Sequence, residues 1–171
     1  MNHIYYCYGD ESRSHEFLFY ILNRYYNVSA TEGDLKKSPY GKFYLEENPV
    51  HFNLSHSKDV LALAVGNKPV GIDVEKIREK QFSRVANVYF GNTAESPEEF
   101  FRLWTKAEAF VKYRAGTVAA DLKKIKIDGD DLFYEGEKVT LSVETMKIKD
   151  FILSVVGEEA TADIVEVAEF I

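Results

Sequence analysis

Asp73 and Glu75 stand two residues apart in the run Gly71-Ile72-Asp73-Val74-Glu75. On an extended strand successive side chains alternate between faces, so Ile72 and Val74 turn to the core and the two acids share the other face. Carboxylates that close repel each other unless a cation stands between them. A hard divalent ion such as Mg²⁺ prefers such an oxygen-rich pair, although the same alternation also describes a strand with one solvated face. A third acid, Glu108, falls in a helical pattern. With Phe100 at zero and about 100° per residue, Phe100, Leu103, Trp104, Ala107, Val111 and Ala115 form one apolar stripe, and Glu108 lies about 80° round, at its rim. A carboxylate there is costly unless paired or metal-bound; Lys112, one turn on, offers an internal pair as the plainer reading. The third feature is Phe52-Asn53-Leu54-Ser55-His56-Ser57. Its hydroxyls and imidazole suit a phosphate, or equally a turn with an exposed histidine.

The elements that must carry these groups are legible around them. A helix is expected over Glu11–Tyr26, where Phe17, Leu18, Ile21, Leu22 and Tyr25 recur at helical spacing and Asp10 or Ser12 caps the start. Residues 27–49, with Gly33, Pro39, Gly41 and Pro49, read as mostly loop. Val60–Val65 and Val70–Glu75 read as two strands joined by a turn at Gly66–Pro69. A short helix is expected over Arg78–Tyr89. A longer one starts at Ser96-Pro97-Glu98-Glu99, which supplies an N-cap, a proline at the first position and a glutamate three residues after the cap; Gly116 is its expected stop. Strands follow at 124–127, 132–134, 139–143, 151–156 and 164–167, with turns at Gly129, Gly136 and Asp150. Helices and antiparallel strands without strict alternation make an α+β fold.

The chain has 171 residues, 46% of them hydrophobic and 29% charged, the balance of a soluble globular protein with ample material for a core. A formal net charge of −7 argues against a general nucleic-acid binder, though not against a local anion pocket. No apolar run approaches the ~18 residues that span a bilayer, and the N-terminus lacks the pattern of a signal peptide. The single cysteine, Cys7, cannot form an internal disulfide. The expectation is a cytoplasmic protein without membrane or nucleic-acid partners.

The order FNLSHS, GIDVEK, LWTKAEAFVK resembles the 4′-phosphopantetheinyl transferases, in particular the surfactin-synthetase-type branch with two similar halves in one chain. The resemblance implies two α/β halves packed as a pseudo-dimer, divided here as 1–68, an abbreviated N-terminal half, and 69–171, which carries the metal site. It implies transfer of the phosphopantetheine arm of coenzyme A to a serine of an acyl or peptidyl carrier protein, releasing adenosine 3′,5′-bisphosphate. By the same resemblance Asp73, Glu75 and Glu108 are ligands of Mg²⁺ or Mn²⁺, Glu108 is the base for the serine hydroxyl with Glu75 as second choice, and Arg13, Lys42, Ser55, His56 and Lys112 contact coenzyme A. An acidic carrier would meet a local basic patch of Lys36, Lys37, Arg78, Lys80 and Arg84. Monomer and homodimer are both left open.

Two departures from the family pattern bear on activity. Ala107 stands where the family helix carries a lysine before the glutamate, with Lys106 about 100° away on the wheel. The matching motifs also start closer to the N-terminus than in related enzymes. The alternatives are a weakened relative that binds coenzyme A or a carrier without transfer, and a Mg²⁺-dependent phosphoanhydride hydrolase.

Overall fold

The computed structural model describes residues 1–79, 88–89 and 94–170. The expected helix over Arg78–Tyr89 lies largely outside the described residues, as do Lys80 and Arg84 of the basic patch. Within the described residues the chain is α+β, with no helix long and apolar enough to cross a membrane.

Strand β1 (Asn2–Tyr8) leads through a short 3₁₀ turn into helix α1 (Ser14–Tyr26), whose approach is capped by the Asp10 carboxylate accepting from Ser12 N–H at 2.9 Å. A small hairpin, β2 (Leu35–Lys37) with β3 (Phe43–Leu45), follows. Then come β4 (His51–Ser57), β5 (Val60–Gly66) and β6 (Val70–Lys76). Helix α2 (Pro97–Tyr113) starts where the sequence indicates, the Ser96 hydroxyl accepting from Glu99 N–H at 3.2 Å. After a short α3 (Val118–Asp121), β7 (Ile125–Asp128), β8 (Asp131–Tyr134) and β9 (Glu137–Lys138) make a small meander. Strands β10 (Ser142–Ile148), β11 (Phe151–Gly157) and β12 (Thr161–Glu166) complete the described chain.

Two sheets carry the architecture. One has the order β12-β1-β5-β4 and the other β10-β11-β6. The strand order β1-β5-β4, with α1 after its first strand, is repeated as β6-β11-β10 with α2 after β6. Register repeats too: β1 meets β5 from Tyr8 opposite Val60 onward, as β6 meets β11 from Lys76 opposite Phe151. Strand β12 lies parallel to β1, so the last segment of the chain belongs to the first sheet. Alternating residues of β1, β5, β6 and β11 (Ile4, Ala62, Ala64, Ile72, Val74, Leu153, Val155) fill a core between the sheets. Each helix covers the outer face of its own sheet: α1 with Phe17, Leu18, Ile21 and Leu22, and α2 with Phe101, Ala109, Phe110 and Val111.

Several local expectations change. The turn at Gly66–Pro69 joins strands β5 and β6 as expected, and because these belong to different sheets it is the crossover between them. Residues 2–8 and 51–57 are strands that composition alone hid, because tyrosines and small polar groups dilute the apolar alternation. Strand β10 begins at Ser142, not Val139. The C-terminus of α2 closes with Ala115 in the left-handed region (φ 54°) and Gly116 N–H donating to Val111 O at 3.0 Å. At Gly116 a Cβ would meet the Asp121 carboxylate, so a larger residue there would displace that side chain. The buried face of α2 also extends past the expected stripe to Phe101, Thr105 and Ala109, while Trp104 is half-buried and stacked on Phe100.

Candidate active site

The acids of β6 are brought to α2 by the glycine that precedes them. A Cβ at Gly71 would collide with the Ala109 carbonyl oxygen and the Tyr113 amide nitrogen. With no side chain there, the last turns of α2 lie directly on β6. Asp73 and Glu75 share the face opposite Ile72 and Val74, as alternation requires, but that face is not solvated: Asp73 is only 5% exposed.

The other edge of β6 faces β4, and no backbone ladder joins them. Side chains do the joining instead. Asn53 Oδ1 accepts from Ile72 N–H at 2.8 Å, Ser55 Oγ from Val74 N–H at 3.2 Å and Ser57 Oγ from Lys76 N–H at 3.1 Å. Lys42 Nζ donates to Val70 O at 2.8 Å at the end of the same row. The strand period of 2 puts Asn53, Ser55 and Ser57 on one side of β4, where they match the outward amides of alternate β6 residues. The two serines also touch the acids: Ser55 Oγ donates to Asp73 Oδ1 at 3.1 Å, and Ser57 Oγ to Glu75 Oε2 at 3.0 Å.

Charge around the acids is arranged by both helix and strand. Lys112 Nζ lies 2.8 Å from Asp73 Oδ1 and 3.1 Å from Ser55 Oγ, so its ion pair is with Asp73 rather than within the helix. Arg78 Nη1 donates to Glu75 Oε2 at 2.9 Å. Burial pushes the Asp73 carboxyl up, against the pull of Lys112. Glu108 is pushed up to about 7, first by burial, then by the negative charge of Asp73, with Glu75 adding to it and Lys112 opposing. The helix acid and the strand pair therefore share one electrostatic neighbourhood. Lys42 is drawn down to about 8 by burial and by the like charge of Lys112.

A cavity of about 430 Å³ opens on this cluster. Lys42, Asn53, Glu108 and Lys112 line it, with Phe52 and Val111 as apolar wall. Ser55 and Asp73 lie immediately behind Lys112. Arg13 and His56 are not among its lining residues: Arg13 forms a two-point ion pair with Glu16 at 2.7 and 2.9 Å and lies over the Phe170 ring, and exposed His56 meets Glu11 at 3.0 Å. Lys106 does not stand in for the family lysine. It borders a different cavity, with Arg102, Asp130 and Thr145, and its ammonium is 3.7 Å from Asp130, while Ala107 is fully buried. Of the basic patch, Lys36 and Lys37 are exposed on β2 and Arg78 is taken up by Glu75.

Whether a divalent ion suits this cluster is tested by its oxygens. Asp73 Oδ2 is buried with no hydrogen-bond partner, a carboxylate oxygen left for a cation. The donor chemistry, carboxylates and hydroxyls, is that of Mg²⁺. Among the described residues, however, no group of three or more His, Cys, Asp or Glu is arranged to hold a metal as it stands; Lys112 and Arg78 already engage two of the acids.

Sequence reasoning did not single out Asn53 or Gly71 as site-building residues, and it offered the Ser57 hydroxyl to a phosphate, whereas Ser57 bonds Glu75 and the Lys76 amide. The signal was present as the period-2 row N-x-S-x-S and as a glycine inside a strand, where a close backbone approach is the usual cause.

No family model matches the chain. Curated relatives do. The 4′-phosphopantetheinyl transferase gsp of Aneurinibacillus migulanus is 35% identical over 86 residues, 45% of this chain and 36% of its own. The 4′-phosphopantetheinyl transferase AcpT of Escherichia coli (strain K12) is 41% identical over 106 residues, 53% of this chain and 54% of its own. The 4′-phosphopantetheinyl transferase Sfp of Bacillus subtilis (strain 168) is 25% identical over 118 residues, 63% of this chain and 52% of its own. The matched segments thus span from about a third to about half of these relatives' lengths.

Proposed function

On its similarity to these relatives the chain belongs to the 4′-phosphopantetheinyl transferase superfamily, and from that premise we propose that it moves the 4′-phosphopantetheine arm of coenzyme A onto a serine of an acyl or peptidyl carrier protein in the cytosol. In this reading 1–68 and 69–171 are two similar halves packed as a pseudo-dimer, with β12 crossing back to the first sheet. The repeated strand order and register support it.

The observation that carries the proposal is one cavity uniting Glu108, Lys112 and Lys42, with Asp73 behind them. Two ammonium groups on one wall suit the phosphates of coenzyme A. The serine oxygen attacks a phosphorus of the pyrophosphate, the bond to the nucleotide side breaks, and adenosine 3′,5′-bisphosphate leaves. Glu108, a carboxylate lining the cavity, is placed to take the serine proton. Lys42 and Lys112 then balance charge on the departing phosphate. Asp73, Glu75 and Glu108 would hold Mg²⁺, which when bound neutralises phosphate charge. Ser55 belongs to the coenzyme A contacts through Lys112. Arg13 and His56 remain proposed contacts at the outer end of the nucleotide, and Lys36 and Lys37 the exposed basic residues for an acidic carrier.

The test is an intact-mass measurement. Purified protein with Mg²⁺, coenzyme A and an apo carrier is expected to add the mass of the arm, and Asp73→Ala is expected to abolish the addition while the fold persists. Ala107, buried where the family keeps a lysine, favours the second reading, a weakened relative that binds without transfer. Coenzyme A binding by calorimetry with no mass shift across several carriers would select it.

A further inference from the structure

Lys112 has two competing demands on one ammonium. It is 2.8 Å from Asp73 Oδ1 and 3.1 Å from Ser55 Oγ, yet its side chain is 28% exposed and lines the cavity beside Lys42. The second oxygen of the same carboxylate, Asp73 Oδ2, is buried and has no hydrogen-bond partner. A divalent ion on Asp73 and an ammonium within 3 Å of that carboxylate repel each other at close range in a poorly solvated site. They cannot share it at full strength.

We propose that Lys112 is the resident counter-ion of Asp73, that a divalent cation must displace it, and that the displaced ammonium swings into the cavity to meet an anionic ligand. This rests on the proposed function only in taking Asp73 as a cation ligand. In the metal-free protein the charge of Asp73 is thus balanced from within, by the ammonium 2.8 Å away. Ser55, which accepts from Lys112 and donates to Asp73, is the pivot of the exchange. By linkage, an anion that draws Lys112 away frees Asp73, so anion and cation each raise the other's affinity.

The test uses the full chain, stripped of metal and without coenzyme A, titrated with Mn²⁺ by calorimetry. Lys112→Met is expected to bind Mn²⁺ at least about tenfold more tightly than the unaltered protein, because a neighbouring opposite charge is worth one or more powers of ten to a carboxylate. Lys112→Arg, which keeps the charge, is expected to match the unaltered protein. Should Lys112→Met fail to fold, Lys112→Gln keeps a donor for Asp73 and Ser55 without the charge and carries the same expectation. Equal or weaker Mn²⁺ binding by the neutral variants overturns the inference. An Asp73→Asn arm separates the two levels. If Asp73→Asn loses Mn²⁺ and the neutral variants gain nothing, the counter-ion role fails and the metal reading stands. If Asp73→Asn binds as before, or nothing binds Mn²⁺, both fall.

Discussion

Glutamine in place of Glu108 is expected to make the metal-free protein more stable at alkaline pH while disabling transfer. Glu108 is held at about 7 against an ordinary value of 4.5, chiefly because burial and the charge of Asp73 penalise its ionised form. The raised value fixes the direction. Below about 4.5 both folded and unfolded chains hold the proton and the contribution is fully present. Between 4.5 and 7 the unfolded chain releases its proton first, so stability falls as pH rises; above 7 the contribution is gone. At roughly 1.4 kcal/mol for each tenfold difference in proton affinity, the whole loss comes to about 3 kcal/mol. Glutamine is nearly isosteric and does not ionise. Urea unfolding of both proteins in chelator at pH 5, 6, 7 and 8 is expected to give a difference that widens by about 2–3 kcal/mol from pH 5 to pH 8 in favour of the variant. Adding Mg²⁺ at pH 8 is expected to recover stability in the unaltered protein more than in the variant. A difference that stays flat with pH, or one that favours glutamate at pH 8, would refute the placement of Glu108 among the other acids.

Other expectations follow from the same contacts. Gly71→Ala forces a Cβ into the backbone of α2; thermal unfolding is expected to show a loss at or beyond the usual ~1–3 kcal/mol of overpacking, with activity lost. Ser57→Ala removes the donor to Glu75 and the acceptor for Lys76 N–H; a loss of about 1–3 kcal/mol is expected in denaturant unfolding, with Ser57→Thr largely restoring it. Coenzyme A affinity, measured by calorimetry, is expected to fall as pH rises through about 8, where Lys42 gives up its proton, and to lose that step in Lys42→Met. Cys7 is buried and its thiol is pushed up to about 12, so a thiol reagent at pH 8 is expected to label the protein only after unfolding.

What could be read ahead of the structure divides by the range of the signal. The capped start of α2 and the alternation around Asp73 are local, and both are found as expected. The membership of β5 and β6 in different sheets is not local: nothing in Gly66–Pro69 distinguishes a hairpin turn from a crossover. Lys112 shows the same limit. Helical spacing offered Glu108 as its partner, but the close seat of α2 on β6 allowed by Gly71 lets it reach Asp73 instead. Arg13 and His56 match the family motif, but Glu16, one turn on, pairs with the first, and Glu11, distant in sequence, meets the second.

A backbone ladder is indifferent to which residues it joins, but the row by which Asn53, Ser55 and Ser57 of β4 hold the edge of β6 is not. Its reach is set by side-chain length, one methylene for each serine and one amide more for the asparagine. The gap between the two sheets at this point is thus written in single codons. Exchanging one small polar residue for another alters the spacing between β4 and β6 and, at Ser55 or Ser57, the donor to Asp73 or Glu75 as well, a route by which evolution or design could retune what the cleft admits.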